Sequence, residues 1–188
     1  NIYLIIDLLP FTAENVATVP ICREEILLIV PDEVIHKAYP DRFEEIKKKL
    51  YQSADVRLLE NCPFVLLKKG NRVRTIADEL FEDTQITPHI VLETENIETV
   101  LALSVQGMGI TFYPRMFMSS KQNLKAYHDS LMKQAGLNLF SLNYPRAHGT
   151  LAIGYHKGHY MSRATHEFIR TALEHIPSAA GLPLNTDV

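Results

Sequence analysis

The chain alternates short apolar runs with longer stretches in which apolar residues recur every three or four positions. The short runs predict buried strands, and the recurring spacing predicts helices that place one face on a core. We expect strands at residues 2–6, 25–31, 62–69, 89–94, 109–114 and 150–157. We expect helices at residues 39–52, 75–83, 96–106 and 162–176, with a polar helix within 119–135. This order of elements predicts an α/β domain.

Local signals mark the starts of three of these helices. Asp41 followed by Glu44 has the spacing of a capping box, in which the two side chains satisfy backbone amides at a helix start. Asn96 and Ser162 are residue types that favour the N-cap position. We therefore expect Asp41, Asn96 and Ser162 to cap their helices.

Two glycines stand between the predicted helix at 96–106 and the strand at 109–114. Gly107 follows the last apolar position of the helix, where glycine adopts a left-handed backbone without a Cβ clash. Gly109 opens the strand, and its lack of a side chain allows a neighbouring segment or a ligand to approach closely. A dinucleotide-binding loop has the opposite order, strand before glycines before helix, so we do not interpret this Gly-x-Gly as a nucleotide site.

Composition narrows the classes of function. The 188 residues are 46% apolar, enough for one large domain or two small ones with real cores. The net charge of −3 does not suggest a free-standing nucleic-acid binder, and the short basic clusters at 47–49 and 68–69 are typical of solvated faces. Apolar runs are too short to span a bilayer. Cys22 and Cys62 lack metal-ligand spacing, which favours a reduced cytosolic protein over a redox sensor.

The candidate catalytic side chains do not form a recognisable motif. His156 and His159 fall in a glycine-containing turn, His166 is not part of a His-Glu-x-x-His motif, and no Gly-x-Ser-x-Gly elbow occurs. Glu93 and Glu95 share one face of a predicted strand, where a solvated edge is commoner than acid–base chemistry. We therefore expect no enzyme, no catalytic residue, no metal site and no cofactor.

Four blocks of the chain, in order, resemble the effector domain of LysR-type transcriptional regulators. The best-marked block is PHIVLETENIETVLALSVQGMGITFYP at 88–114. The others are VPICREEILLIVP at 19–31, PFVLLKKGNRVRTIADELFEDTQITPHI at 63–90 and LAIGYHKGHYMSRATHEFIRTAL at 151–173. In the block at 88–114 the matching residues are Val105, Gly107, Gly109, Ile110 and Pro114, whereas Tyr113 replaces the usual leucine. The resemblance covers about residues 1–176.

The resemblance implies the α/β, type II periplasmic-binding-protein-like fold, in which two α/β subdomains are joined by two crossover strands. We expect the crossings near residues 66–70 and 144–150. Residues 1–66 with 150–176 would then form an outer subdomain that is incomplete at its N-terminus, 71–144 an inner subdomain, and 177–188 a tail. The family's helix-turn-helix, linker helix and first effector-domain strands have no counterpart in this chain.

The resemblance also implies an effector in the cleft between the subdomains, where small ligands usually bind. Strand C-termini and helix N-termini face such a cleft. The effector-binding residues expected on this ground are Lys68, Lys69, Gly70, Asn71, Asn96, Ile97, Phe112, Tyr113 and Pro114. A lysine pair beside a helix N-terminus favours a carboxylate-bearing effector. Strand alternation lets at most one lysine face inward, and Phe112 fits plain core burial equally well.

The implied function is cytoplasmic small-molecule sensing for transcription regulation. An effector would shift the arrangement of subdomains within a homodimer or homotetramer, with DNA bound only by the missing helix-turn-helix and no membrane partner. A solute-binding protein of the same fold that serves a transporter is the alternative, and an α/β enzyme on a related scaffold is a third. A lipid-anchor cysteine or a leader upstream would favour the transporter partner, and a basic helix-turn-helix would favour the regulator.

Overall fold

The computed structural model describes residues 4–119, 136–158 and 160–180. Its strands are β1 Leu4–Leu8, β2 Val16–Pro31, β3 Pro63–Leu67, β4 His89–Thr94, β5 Thr111–Pro114, β6 Leu137–Ser141 and β7 His148–His156. Its helices are α1 Asp32–Ala38, α2 Phe43–Ser53, α3 Arg72–Asp83, α4 Ile97–Val105, α5 Arg115–Ser119 and α6 Arg163–Ala180. Short 3-10 turns lie at Pro40–Arg42, Val56–Leu59 and Pro145–Ala147.

The 16-residue strand β2 organises the main sheet. Its first part, from Val16 to Glu25, pairs antiparallel with β7, and the other side of β7 pairs with β1. Its second part pairs antiparallel with β5 on one side and β6 on the other. The register shifts between Pro20 and Cys22, which is the one irregularity in the pairing of β2 with β7. A single strand therefore runs through two differently built parts of the sheet.

A second, parallel pair of strands lies beside this sheet. β3 and β4 pair in parallel, and Phe64 forms a parallel bridge to Ile110 just before β5. Parallel neighbours need a long return connection, and α3 and α4 supply it. The carboxyl ends of β3, β4 and β5 consequently lie along one edge.

Most buried side chains belong to a large cluster and a smaller one towards opposite ends of β2, and Ile29, Leu101 and Tyr113 form a third. The large cluster extends in sequence from Ile26 to Ala147 and takes in side chains of β3, β5 and helices α1 to α4. The smaller cluster consists of Ile21, Cys22, Leu151, Ile153 and Ala172. Since β2 and the segment after β6 contribute to both clusters, the chain passes between the two cores at residues 23–26 and 141–150, which we call the crossing.

This packing corrects the predicted position of the first crossing, at 66–70, and the subdomain boundaries that followed from it. Ile46 and Leu50 of α2 had been assigned to the outer subdomain, 1–66, with residues 150–176. Both are buried in the same cluster as Leu66 and Phe81, and Phe81 belongs to the predicted inner subdomain, 71–144. The chain leaves the small core in β2, about forty residues earlier than the resemblance suggested.

Most predicted elements are present, with shifted ends. β4 has the predicted bounds, whereas β2 extends well before residue 25. The helix α1 and the strand β6 were not predicted. The polar helix expected within 119–135 lies almost wholly outside the described residues. α6 continues into the predicted tail, 177–188, as far as Ala180, and the rest of that tail also lies outside them.

Two of the three predicted caps are confirmed. The amide of Thr99 donates to Asn96 Oδ1 at 3.0 Å, and the amide of Thr165 donates to Ser162 Oγ at 3.1 Å. Asp41 does not cap α2, because it lies in the 3-10 turn before the helix and the N-cap residue, Arg42, makes no side-chain capping bond. The capping-box prediction is therefore wrong.

The predictions for Gly107 and Gly109 both agree with the observed backbone. Gly107 has φ +69°, the left-handed conformation expected after the end of α4. A Cβ at Gly109 would lie 2.9 Å from the backbone oxygen of Pro63, closer than side chains tolerate. Gly109 thus lets β3 lie directly against the start of β5.

Candidate functional site

The edge formed by the carboxyl ends of β3, β4 and β5 carries three charged side chains. Lys68 follows β3, Glu95 follows β4 and Arg115 follows β5. The bridge from Phe64 to Ile110 and the pairing of Pro114 with Ile26 set these ends level with the start of the buried half of β2. Two strand spacings separate β3 from β2, which is roughly 10 Å.

The predicted residues after β3 lie on an exposed turn at this edge. Lys68 Nζ lies 3.0 Å from Glu95 Oε1, an ion pair with both side chains largely exposed. Lys69 makes no ion pair or hydrogen bond with any described residue, and a side chain added at Gly70 would meet open space. Asn71 caps α3, accepting a hydrogen bond from the amide of Val73 at 2.9 Å. Lys69 is therefore the available cation of the turn.

The other predicted residues divide between this edge and the core. Asn96 caps α4 at the edge, and Ile97 is partly buried. Phe112 is buried in the large cluster, so its side chain does not line a cleft. Tyr113 is also fully buried, and its hydroxyl donates to Glu98 Oε1 at 3.1 Å. Burial raises the pKa of Tyr113, and the charge of Glu98 adds to the rise.

Pro114 is buried at the end of β5, where it pairs with Ile26 of β2. It lies next to the crossing, because Arg115 directly after it reaches Glu25. Of the three effector-binding residues predicted at 112–114, only Pro114 adjoins the candidate site. The sequence had left core burial open for Phe112, and that is where the side chain lies.

Arg74, on α3, connects the ends of β3 and β4 through hydrogen bonds. Only 4% of Arg74 is exposed. Its guanidinium donates to the backbone oxygen of Leu67 at 2.9 Å, to Asp78 at 2.7 Å, and to Glu93 of β4. The bond from Arg74 lowers the pKa of Glu93. Sequence reasoning missed this residue because an arginine on an amphipathic helix normally faces water.

A polar cluster occupies the crossing. Arg115 Nε donates to Glu25 Oε2 at 2.6 Å, and the hydroxyl of Ser141 donates to Glu25 Oε1. Glu25 therefore joins three chain segments: β2, the start of α5 and the end of β6. These contacts fix α5 and β6 against β2 at the point where the chain passes between the cores.

The neighbouring Glu24 is 4% exposed, and one of its two carboxylate oxygens has hydrogen-bond donors. Its Oε1 accepts from the amides of Glu25 at 2.7 Å and Met116 at 3.3 Å. Its Oε2 is buried, and no described residue donates to it. Burial raises the pKa of Glu24, the charge of Glu25 adds to the rise, and the amides oppose it. A buried carboxylate oxygen without a donor is rare in folded proteins.

A cavity of about 570 Å³ opens at the crossing. Its lining residues are Arg23, Glu24, Glu25, Ser141, His148, Gly149 and Thr150. The volume is in the range of pockets that hold small metabolites. None of the residues predicted from the sequence is among these lining residues. The signal that could have found it is the charged triplet at 23–25, which interrupts an otherwise apolar strand.

Within the described residues, the groups that metal binding or thiol catalysis would need are not assembled. Among these residues, no group of three or more histidine, cysteine, aspartate or glutamate side chains could hold a metal ion. Cys22 and Cys62 are buried and not paired in a disulfide, and burial raises the pKa of Cys62 to about 12. A thiol with so high a pKa is a poor nucleophile at neutral pH. No helix in the same part of the chain is long and apolar enough to cross a membrane.

Curated relatives are bacterial regulators. The chain is 29% identical over 119 residues to the HTH-type transcriptional regulator YcgK of Bacillus subtilis (strain 168). That match covers 60% of this chain and 37% of YcgK. The chain therefore spans little more than a third of the length of this relative.

Solved structures with the same fold include two regulatory domains. The effector-binding domain of QuiR, in complex with shikimate, has a TM-score of 0.60 at 20% identity, covering 91% of this chain and 70% of that one. The regulatory domain of CcmR from Synechocystis PCC6803, in complex with 2-PG, has a TM-score of 0.62 at 15% identity, covering 91% and 72%. These likenesses confirm the predicted type II periplasmic-binding-protein-like fold.

The family description that matches is the LysR substrate binding domain, and it matches residues 4–177. The match covers nearly the whole chain, including both cores, the crossing and the exposed edge. The four blocks recognised in the sequence all fall within or at the border of this range. The chain therefore belongs to the LysR substrate binding domain family.

Proposed function

We propose that this chain is the small-molecule-sensing domain of a LysR-type transcriptional regulator, with its effector bound at the crossing. The observation that carries the proposal is the polar cavity of about 570 Å³ where the chain passes between its two cores. Its walls come from β2, the end of β6 and the start of β7. A molecule bound there contacts the segments that connect the cores.

The proposed mechanism is a shift between arrangements of the two cores. A ligand that binds one arrangement more tightly than another shifts the population towards it by the difference in affinity. Glu25 holds β2, α5 and β6 together at this point, so a ligand beside it acts on all three. The complexes of QuiR with shikimate and of CcmR with 2-PG, on the same fold, support ligand sensing of this kind.

For the effector we propose a carboxylate. Lys69 stands at the exposed edge without an ion-pair partner among the described residues, and the backbone amides at the start of α4 lie at the same edge. The proposed effector-binding set therefore keeps Lys68, Lys69, Gly70, Asn71, Asn96, Ile97 and Pro114 at the rim. We add to it Glu24, Glu25, Arg115, Ser141 and His148 at the crossing.

For the whole protein we propose a cytoplasmic homodimer or homotetramer that binds DNA through a helix-turn-helix outside this chain. YcgK is an HTH-type regulator and supports this assignment. The family is a regulatory one, and we propose no catalytic activity and no cofactor. A transporter's solute-binding protein is less favoured, because the family match and the curated relatives are those of regulators.

A thermal-shift screen tests the carboxylate. We expect at least one small carboxylate to raise the melting temperature of this chain, because a ligand that binds only the folded state stabilises it by mass action. Replacing Lys69 by Gln should weaken its binding about tenfold, the expected effect of losing a charge-assisted hydrogen bond. The exposed Lys48 of α2 supplies the matched control, and Lys48→Gln should bind as the original chain does.

The outcomes separate the site from the ligand class. Preferential stabilisation by neutral analogues would end the carboxylate proposal and leave the cavity in place. Equal effects of Lys69→Gln and Lys48→Gln would remove Lys69 from the site. Isothermal calorimetry on the best compound supplies the dissociation constants.

A further inference from the structure

Glu24 stands out among the buried polar groups. Among the described residues, Glu24 Oε2 and Ser104 Oγ are the only buried side-chain nitrogen or oxygen atoms without a hydrogen-bond partner. Ser104 lies in the last turn of α4 and does not line the cavity. Glu24 does line it, beside Glu25. A buried carboxylate oxygen without a hydrogen-bond donor is suited to a donor that a ligand brings.

We infer that the ligand of this cavity presents an ammonium group to Glu24 Oε2. This inference rests on the proposed function, since it names the chemistry of the ligand bound at the same crossing. Together with the carboxylate proposed above, it identifies the effector class as amino-acid-like zwitterions.

The neighbouring cation does not fill this role. Arg115 Nε donates to Glu25 Oε2, and the hydroxyl of Ser141 occupies the other oxygen of Glu25. Glu25 is thus satisfied within the chain, whereas Oε1 of Glu24 accepts from the backbone amides of Glu25 and Met116. Burial raises the pKa of Glu24, and a cationic ligand group would offset this by favouring the charged carboxylate. An ammonium supplies three donors and a full positive charge.

The two charged ends of the site are separated by a suitable distance. Lys69 follows β3 and Glu24 lies in β2, two strand spacings away, which is roughly 10 Å. A ligand with both charges would then contact the exposed edge and the crossing at once, and so bear on both cores.

Three matched series of compounds test the inference on this 188-residue chain. The first is the set of common α-amino acids, the second the corresponding α-hydroxy acids, and the third the corresponding primary amines without the carboxylate. Thermal shift identifies the best amino acid, and calorimetry compares it with its two analogues. We expect the hydroxy acid to bind at least about tenfold more weakly, because it cannot form the charge-assisted bond.

Replacing Glu24 by Gln keeps the shape and removes the charge. Glu24→Gln should bring the amino acid and the hydroxy acid to within about twofold of each other, whereas Glu60→Gln, which removes an exposed carboxylate elsewhere, should preserve the preference. Glu24→Asp keeps the charge on a shorter side chain and should retain part of it. Circular dichroism of each unliganded variant verifies folding.

Each result bears on a definite statement. Equal binding of the amino acid and the hydroxy acid by the original chain, or a preference that survives in a folded Glu24→Gln, overturns the ammonium and leaves the carboxylate standing. Binding of amines without any requirement for a carboxylate supports the ammonium and ends the carboxylate. If no member of the three series raises the melting temperature, both statements about the ligand fail.

Discussion

Arg74 shows how a charged side chain becomes part of the framework of this domain. It is buried, and its guanidinium reaches the last carbonyl of β3, the Glu93 side chain of β4 and Asp78 on its own helix. These bonds align the ends of two strands beside the turn that carries Lys69. A group with this many partners is costly to remove, because the partners it leaves are partly shielded from water.

Replacing Arg74 by Met should lower the free energy of unfolding by about 2 kcal/mol, since the Leu67 carbonyl loses its charged donor and two carboxylates lose a partner. Urea unfolding followed by circular dichroism measures it. Arg170→Met is the control, because Arg170 pairs with the exposed side chains of Glu167 and Glu174 on its own helix. Such surface pairs add little, and we expect no measurable change. Equal losses in the two variants would contradict the role given to Arg74.

Single residues also show where sequence reasoning about the site reached its limit. Lys69, Asn96 and Pro114 could be placed at strand ends and helix starts, because those positions follow from local patterns. Glu24 could not be recognised, since its importance arises from burial and from a missing donor, which depend on contacts with Met116 some ninety residues away. Arg74 was missed because an arginine on an amphipathic helix normally faces water, whereas this one is buried.

At the scale of elements, α4 is a case where local chemistry and the tertiary structure agree. Asn96 accepts from the Thr99 amide at its start, and Gly107 follows its end with φ +69°. α2 is the contrary case, because its predicted cap, Asp41, lies in a 3-10 turn outside the helix. The two helices offer a direct comparison between a cap that is formed and one that is not.

Replacing Asn96 by Ala should lower the free energy of unfolding by about 1 kcal/mol, the usual effect of losing an N-cap side chain. Asn96→Asp should restore most of it, since aspartate accepts the same bond and favours the helix dipole. Asp41→Ala should leave stability unchanged, because no described residue bonds to that carboxylate. Thermal or urea unfolding distinguishes the three, and a loss in Asp41→Ala as large as in Asn96→Ala would restore the capping box.

Elements with strong local signals could be predicted, and elements defined by distant pairing could not. β4 has its predicted bounds because turn residues flank a short apolar run. The first half of β2 was not predicted, because the charged residues Arg23, Glu24 and Glu25 break the apolar pattern of the strand. Pairing with β7, more than a hundred residues later, holds this half in place. α1 begins directly after Pro31 and is only seven residues long, which is too short for its apolar residues to show a helical repeat. The predicted crossing at 66–70 failed because packing, not local pattern, decides which core a strand joins.

At the scale of the whole molecule, the central strands of the sheet pair with a strand on each side, whereas the outer strands pair on one side. β7 lies between β1 and β2, whereas β1 pairs only with β7 in the described structure. The second half of β2 is paired on both sides and lies wholly within buried surroundings. Local opening should therefore begin at β1 and reach β2 last.

Hydrogen–deuterium exchange with peptide-level mass spectrometry measures this order. Amides in residues 26–30 should exchange most slowly, those of β7 slowly, and those of β1 much sooner, because exposing an outer strand breaks fewer pairings. The parallel β4, which pairs only with β3 in the described structure, provides a second outer strand for comparison. Protection of β1 equal to that of β7 would contradict the strand order.

Because β2 runs unbroken from one core into the other, the chain has few places where it can be divided. A cut within residues 16–31 would leave the first half of the strand in one fragment and its partner β7 in the other. Splitting the domain for a two-piece reporter, or inserting a foreign module into it, is better attempted at the exposed turn around Gly158, where a side chain would meet open space. Engineering this domain therefore begins with keeping that one strand whole.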